Sequence, residues 1–435
     1  MRTFLIVLSM LVATPVLAQD PGRILLRLQG SNTIGAELAP SLVVAWLKAR
    51  GYRDVVLERT TAEESVVTAT SSQGEAVAVP IKAHGSSTAF QALSEGSADI
   101  GMASRAIKEK EVAQLWRLGP MQGAESEFVL GLDGIAVIVH PDNTLTSLDK
   151  KTLGRIFSGE VSNWSELGGG NRAIRVYARD DKSGTFDTFK SLVLGKGKLT
   201  AGAQRFESNA DLSDAVAADP QGIGFVGLPY VRAARALAVA DDIPLAIAPG
   251  RFTVATEDYA LARRLFLYLP LQANELARDL VAFAIGVSGQ QLVAESGFVS
   301  QEIISGKPDS GVGHAEYYSL VRGAERLSLN FRFHQGSARL DNKARHDIQR
   351  LADYLAREEN RRRELILVGF SDSNEAIPLH SLGLSIQRAD GVANVLLGQG
   401  VVPRKVRGYG PAVTVASNQT LGGREKNRRV EVWLR

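Results

Sequence analysis

The sequence predicts an α/β protein made of a large α/β unit followed by a small α/β sandwich. Three observations carry this expectation. At 435 residues the chain is too long for one core. From Ile24 to about Ser300, apolar strands alternate with amphipathic helices, a pattern that predicts parallel sheets. A Gly/Ser/Pro-rich stretch, "SGKPDSGVG" from Ser305 to Gly313, then interrupts the periodicity before a second, shorter alternation begins.

The elements follow in order. "MRTFLIVLSMLVATPVLA" joins a basic start, an apolar run from Phe4 to Ala13 and small residues at Val16 and Ala18. That is the pattern of a cleavable secretory signal over residues 1–18, and the run is too short to span a bilayer. The large unit is expected over 22–304. Within it "GIAVIVH" (Gly134–His140) is apolar without alternation, as a strand covered on both faces should be. "LTSLDKKTLGRIFSGE" follows with helical spacing at Leu148, Leu153, Ile156 and Phe157. A linker is expected over 305–325 and the small domain over 326–435.

In the small domain "RLSLNFRF" alternates, with Leu327, Leu329, Phe331 and Phe333 on one face and Arg326, Ser328, Asn330 and Arg332 on the other. It reads as a half-buried strand. "NKARHDIQRLADYLAREE" sets Ile348, Leu351, Ala352 and Leu355 on one helical face. "ELILVGFSD" is a buried strand ending at Asp372, and "SIQRADGVANVLLGQG" a helix with Ile386, Ala389, Ala393 and Leu396 inward, stopped by glycine. "RRVEVWLR" closes the chain as a strand. The order is β-α-β-α-β-like.

Composition narrows the chemistry. Fifty Lys+Arg against 47 Asp+Glu leave a net charge of +3, which argues against a nucleic-acid binder. Twenty Lys+Arg and thirteen Asp+Glu lie between Glu316 and Arg435, so the small domain is the basic end. No cysteine is present, which excludes disulfides and a lipid-modified cysteine. Six scattered histidines include no i, i+4 metal pair, and neither a G-x-S-x-G elbow nor a phosphate-binding G-x-x-x-x-G-K-[ST] loop occurs. No metal, cofactor or catalytic activity is expected.

Three strand-to-helix breaks carry the strongest chemical signal. "YARDDKSGTFDTF" ends a strand at Arg179 and restarts as a helix at Ser183-Gly184-Thr185. "LQGSNTIGAELAP" and "IKAHGSSTAFQALSEG" break in the same way at Ser31-Asn32-Thr33 and at Ser86-Ser87-Thr88. Each offers unpaired backbone N–H groups, hydroxyls and the positive end of a helix. One such turn is ordinarily a helix cap. A helix end contributes about 0.3–1 kcal/mol and a charge-assisted hydrogen bond about 1.5–3. Micromolar binding needs about 8 kcal/mol, within reach only of several converging turns together with Arg179.

These segments, with "DGIAVIVHPDNTLTSLDKKTLGRIFSGEVSNWSELGGGNRAIRVYARDDKSGTFDTF", "QGIGFVGLPYV" and "YALARRLFLYLPLQ", resemble the phosphate-binding proteins of bacterial phosphate ABC transporters over roughly residues 24–303. The resemblance implies a two-lobed periplasmic-binding-protein fold closing over a dehydrated tetrahedral oxyanion. Carried over by position, Ser31, Thr33, Ser86, Arg179, Ser183, Gly184 and Thr185 would donate to phosphate. Where transport-type relatives often carry a proton-accepting Asp in "ADIGMASRAI", this chain has Ser104-Arg105. Arg105 is then either a second cation for the ligand or a surface ion-pair partner, and Asp180 or Asp181 would be the remaining acceptor.

"FRFHQGSARLDNKARHDIQRLADYL" and the run from "GFSDSNEAIPLHSLGLSIQRA" to "GREKNRRVEVWLR" resemble the OmpA-like peptidoglycan-binding domain over about residues 326–435, a βαβαβ sandwich. The resemblance implies a non-covalent clasp on diaminopimelate, with Asp372 taking its ammonium and Arg388 its carboxylate. Arg428 and Arg429 fit the pocket rim or a solvated face of the last strand. "GFSD" replaces the usual "GHTD", Ser381 stands where Asn is frequent, and the loop between Asp372 and Arg388 is about one residue longer than usual.

Together these imply an exported binding protein that captures phosphate or a similar oxyanion and is anchored to peptidoglycan in the periplasm of a Gram-negative bacterium, with the outer membrane a further association. Transport would require an ABC permease as partner, whereas wall attachment suits scavenging, sensing or storage equally. The alternative is a structural or adhesive envelope protein whose first unit no longer binds phosphate.

Overall fold

The structure, a computed structural model, describes residues 22–61, 63–181, 183–241, 245–306, 314–375 and 378–435. The signal expected at 1–18, Lys182 and residues 307–313 of the expected linker lie outside the described residues.

The first lobe is built from β1 (Leu28–Gly30), α1 (Asn32–Gly35), α2 (Leu38–Ala49), β2 (Arg53–Arg59), β3 (Glu64–Thr70), β4 (Ala76–Lys82), α3 (Ser86–Ser94), β5 (Ile100–Ala103) and α4 (Glu109–Gln114). The thirteen-residue strand β6 (Glu127–Val139) crosses into the second lobe. That lobe holds α5 (Lys150–Ser158), β7 (Arg175–Arg179), α6 (Gly184–Phe189), β8 (Gln204–Phe206), α7 (Asn209–Ala218), β9 (Gly222–Gly227) and α8 (Arg251–Ala255). The chain returns along β10 (Ala262–Tyr268) to α9 (Glu275–Ile285) and α10 (Val287–Glu295) in the first lobe.

One twelve-stranded sheet runs through both lobes in the order β8-β7-β9-β6-β10-β5-β1-β4-β3-β2, completed by the short strands Arg23–Ile24 and Arg235–Ala236. It is mixed, not parallel as the alternation suggested. β1 lies parallel to β4 and β5, and β7 parallel to β8 and β9, but β6 runs antiparallel to both β9 and β10. The cause is topological: one strand carries the chain out to the second lobe and its neighbour brings it back. β6 is buried on both faces from Val129 to Val139, as its unbroken apolar run requires.

Each lobe has its own core. Leu26, Val43, Trp46 and Leu265 centre the first, while Phe157, Phe189 and Phe225 centre the second, with the last two rings stacked at 3.9 Å. Among the described residues no helix is long and apolar enough to cross a membrane.

The small domain contains β11 (Ser305–Gly306), α11 (Ala315–Val321), β12 (Glu325–Arg332), α12 (Asn342–Ala356), β13 (Leu365–Gly369), α13 (Pro378–Gly398), β14 (Lys405–Gly408), α14 (Leu421–Asn427) and β15 (Arg429–Leu434). Its sheet order is β11-β12-β15-β13-β14. Two helices, α12 and α13, bury Leu327, Phe331, Ile348, Leu351, Ala389 and Leu396 on one face. Tyr317 and Val321 of α11 cover Phe370 and Trp433 on the other, so helix and strand occupy both flanks of the stretch read as linker. Ile386 departs from the expected inward stripe and is 41% exposed. It lies against the edge strand β14, whose own residues are only partly buried.

The polar face of β12 is a second departure. Ser328, Asn330 and Arg332 are buried rather than solvated, because this face docks on the large unit. Asn330 Nδ2 donates to Thr256 O (2.6 Å), and Arg326 pairs with Asp258 (2.7 Å). Arg264 of β10 bonds Glu257 and also Asp341 of the small domain (2.8 Å), while Arg332 Nε meets Glu257 (3.2 Å). Lys426 Nζ donates to Tyr259 O (2.6 Å), and Asn342 Nδ2 to Glu127 Oε1 (3.1 Å). Burial would raise the Glu257 carboxyl, but Arg264 and Arg332 hold it far below the usual carboxylate range. Buried charges persist only when each is met by partners, as these are.

Candidate functional site

The three turns converge at the mouth between the lobes. Gly85 N donates to Gly30 O (2.7 Å), joining the first two turns, and Ser31 N donates to Met102 O (2.8 Å) at the end of β5. Only glycine serves at position 30, where φ is +139° and a Cβ would sit 2.0 Å from Met102 O. Ser86 Oγ accepts from Ser104 N (3.0 Å) and lies 3.2 Å from Ser104 Oγ. The third turn reaches across from the second lobe: a Cβ on Gly184 would stand 2.7 Å from Thr33 Oγ1 and 3.6 Å from Ser104 Oγ. A side chain at 184 would therefore wedge the lobes apart.

Within this convergence the donors are unequally engaged. Ser31 is buried, and its Oγ has no hydrogen-bond partner among the described residues. Ser183 Oγ caps α6 by accepting from Phe186 N (3.3 Å), which leaves its own proton to donate, and Thr185 is buried beside it. Arg179 is 8% exposed, and its guanidinium donates to the carbonyls of Phe206 (3.2 Å) and Glu207 (2.6 Å). It forms no ion pair among the described residues, and burial pulls its pKa below the usual arginine value against the opposing pull of Asp180 and Glu207. Dipoles of carbonyls orient the group without neutralising its charge.

Arg105 takes the ion-pair course. It grips Glu111 with two bonds (2.8 and 2.7 Å) and stacks over Phe90. Burial opposes ionisation of Glu111, but Arg105 draws its pKa below normal. Asp181 is likewise committed, paired with Arg205 at 2.6 Å on the surface. Ser31, Ser86, Arg105 and Gly184 line one cavity of about 1200 Å³ that extends to the small domain. Thr33, Arg179, Ser183 and Thr185 are off that lining.

Sequence reasoning missed Arg263. It stands opposite Asp133 in the β10–β6 register and pairs with it at 2.7 Å, both side chains almost fully buried. The same guanidinium donates to Gly184 O (2.8 Å) and Thr188 Oγ1 in one lobe and to Thr33 Oγ1 (3.3 Å) in the other. It stitches the lobes together and engages the Thr33 hydroxyl assigned to phosphate. The signal was present: two arginines in the apolar strand "ALARRLFLY" cannot both face solvent when successive side chains alternate.

In the small domain Asp372 and Arg388 are both fully buried, yet they do not pair. Asp372 accepts from Arg428 (2.9 Å) and from Asn374 N (2.8 Å). Arg388 holds both oxygens of Glu375 (2.7 and 2.6 Å) and lies over the Phe333 ring. Glu375 belongs to the lengthened loop, and although burial opposes its ionisation, Arg388 draws its pKa down. Arg429 is engaged inside the domain, bonded to Glu431 (2.8 Å) over Phe370. Neither Arg428 nor Arg429 is solvated. Among the described residues no cluster of three metal-ligating side chains occurs.

Residues 57–287 match the PBP superfamily domain and residues 332–428 the OmpA family. The protein SphX of Synechococcus elongatus is 32% identical over 238 residues, spanning 51% of this chain and 68% of that one. The phosphate-binding protein PstS of Pseudomonas aeruginosa is 28% identical over 242 residues, 51% of this chain and 74% of that protein. The crystal structure of an ABC-type phosphate transport receptor from Vibrio cholerae superposes with a TM-score of 0.50 at 26% identity, covering 63% of this chain and 99% of that one. The chain belongs to the PBP superfamily, as a binding-protein unit fused to an OmpA-family domain.

Proposed function

We propose that the protein is an exported, non-enzymatic receptor that captures phosphate or a close oxyanion between its lobes and is held non-covalently to peptidoglycan by its small domain. The observation that carries the first half is a donor set lacking its acceptor: the buried Ser31 hydroxyl, partnerless among the described residues, on turns that converge, with the Arg179 guanidinium at the strand end before the third turn held by carbonyls and in no ion pair among the described residues. A tetrahedral oxyanion supplies the missing acceptors, and similarity to phosphate-binding relatives supports that choice. In this reading Ser31, Ser86, Arg179, Ser183, Gly184 and Thr185 contact the ion, Thr33 joins once released from Arg263, and Arg105 stays with Glu111.

Wall binding rests on the OmpA-family match and on the buried Asp372, Arg388 and Arg428. A diaminopimelate carboxylate would displace Glu375 from Arg388, and its ammonium would share Asp372 with Arg428. The periplasm of a Gram-negative cell follows as the location, with an ABC permease as a partner if the captured ion is delivered. Titration calorimetry of the full chain with phosphate, arsenate and sulfate tests ligand capture. Micromolar binding of phosphate and arsenate, lost in Arg179→Ala, is expected; absence of heat with all three overturns it.

A further inference from the structure

The cavity that begins at Ser31, Ser86 and Gly184 does not end at the lobes but continues along the small domain to His334, Arg339 and Arg345, which are exposed at its outer end. Its lining carries nine Lys and Arg side chains against five Asp and Glu. Several of those cations are already matched: Arg263 by Asp133, Arg264 by Glu257 and Asp341, and Arg428 by Asp372. Arg339 and Arg345 are not, since neither side chain has an ion pair or hydrogen bond among the described residues. Both, with Arg428, bear on the His334 imidazole, which partial desolvation and these cations, against the pull of Asp341, hold below its ordinary pKa. Asp341 is the acid beside them, and its carboxylate is occupied by Arg264 and by the Ala344 N–H. Three cations around one ring, with the single carboxylate beside them already committed, repel one another unless an anion joins them.

We propose that this end of the cavity is a second anion subsite, and that the cavity as a whole accepts a linear chain of phosphoryl groups, one end at the Ser31–Ser86 turns and the other at Arg339 and Arg345. The inference rests on the phosphate reading of the inner end and deepens it. A chain of phosphoanhydrides suits the geometry because it repeats the same acceptor group along a passage lined by donors at both ends. Orthophosphate would fill only the inner subsite.

The test is calorimetry of the full chain with orthophosphate, tripolyphosphate and citrate at fixed ionic strength, on the wild type and on an Arg339→Ser, Arg345→Ser double variant. Tripolyphosphate binding about tenfold or more tighter than orthophosphate in the wild type, with that advantage erased in the variant and orthophosphate unchanged, is the expected result. Equal affinity for the two phosphates, an advantage that survives in the variant, or an equal gain with citrate overturns the second subsite. Orthophosphate binding without a tripolyphosphate advantage removes this inference alone. Variant-sensitive tripolyphosphate binding with no orthophosphate binding removes the inner-site reading and retains the outer one.

Discussion

Ser31 shows how a residue's energetics and its function can pull in opposite directions. A buried hydroxyl without a partner costs about 1–3 kcal/mol, so removing it should help the empty protein. Ser31→Ala is therefore expected to raise thermal stability slightly in phosphate-free buffer while weakening phosphate binding about tenfold or more. Calorimetry paired with thermal melts checks both signs, and a loss of stability would mean the hydroxyl has an internal role. Ser31, Ser86 and Ser183 were legible in the sequence because hydroxyl-rich strand–helix breaks have a local signature. Arg263 was legible only as an arginine out of place in an apolar strand; its partners are 130 and 230 residues away in sequence, and only the fold brings them together. The commitment of Arg105 to Glu111 lay within six residues, yet sequence alone could not choose between pair and ligand.

At the scale of the element, the loop after β13 bears on the proposed wall-binding pocket, because it carries Glu375. Glu375 of this loop presents a carboxylate to Arg388, the role assigned to the ligand. Removing that charge leaves a buried guanidinium uncompensated, which costs about 3–5 kcal/mol. Glu375→Gln should accordingly lower the melting temperature of the small domain, yet increase retention on purified sacculi, because the ligand no longer competes with an internal carboxylate. Unchanged or reduced retention would contradict the competition. Arg388→Ala should abolish retention in either background. Glu375 was visible in the sequence, but its partner was not, because no local rule says where a loop will send its acid. For β12 the alternation gave the strand and its core face, while its polar face, read as solvated, is covered by another domain.

Across the whole molecule, the small domain docks against the return strand through charges that strand carries. Arg263 faces the cleft and Arg264, the next residue, faces Asp341, so β10 touches the convergent turns and the small domain at once. Asp341→Arg should release the docked domain, seen as a larger radius of gyration by small-angle scattering; an unchanged radius would show the docking does not depend on this pair. Acid should weaken this docking through Glu257 and the interior of the small domain through Glu431. Burial opposes the Glu431 charge, but Arg326 and Arg429 lower its pKa from 4.5 to about 2, and Glu257 is lowered still further. These groups bind fewer protons folded than unfolded, so their stabilisation is full above about pH 4.5 and is lost as pH falls toward 2. For Glu431 the loss amounts to roughly 3 kcal/mol, and melts of Glu431→Gln should show a flatter acid limb. The two-part α/β plan was readable from periodicity and the Gly/Ser/Pro break, whereas the docking was not, because its salt bridges join segments from both parts. The most direct test of the central claim is a crystal structure of the full chain grown with phosphate. The account predicts tetrahedral density between Ser31, Ser86, Arg179 and Thr185, with Ser31 Oγ donating to it. Lobes sealed by Arg263 with no ion among those turns, at saturating phosphate, would contradict it.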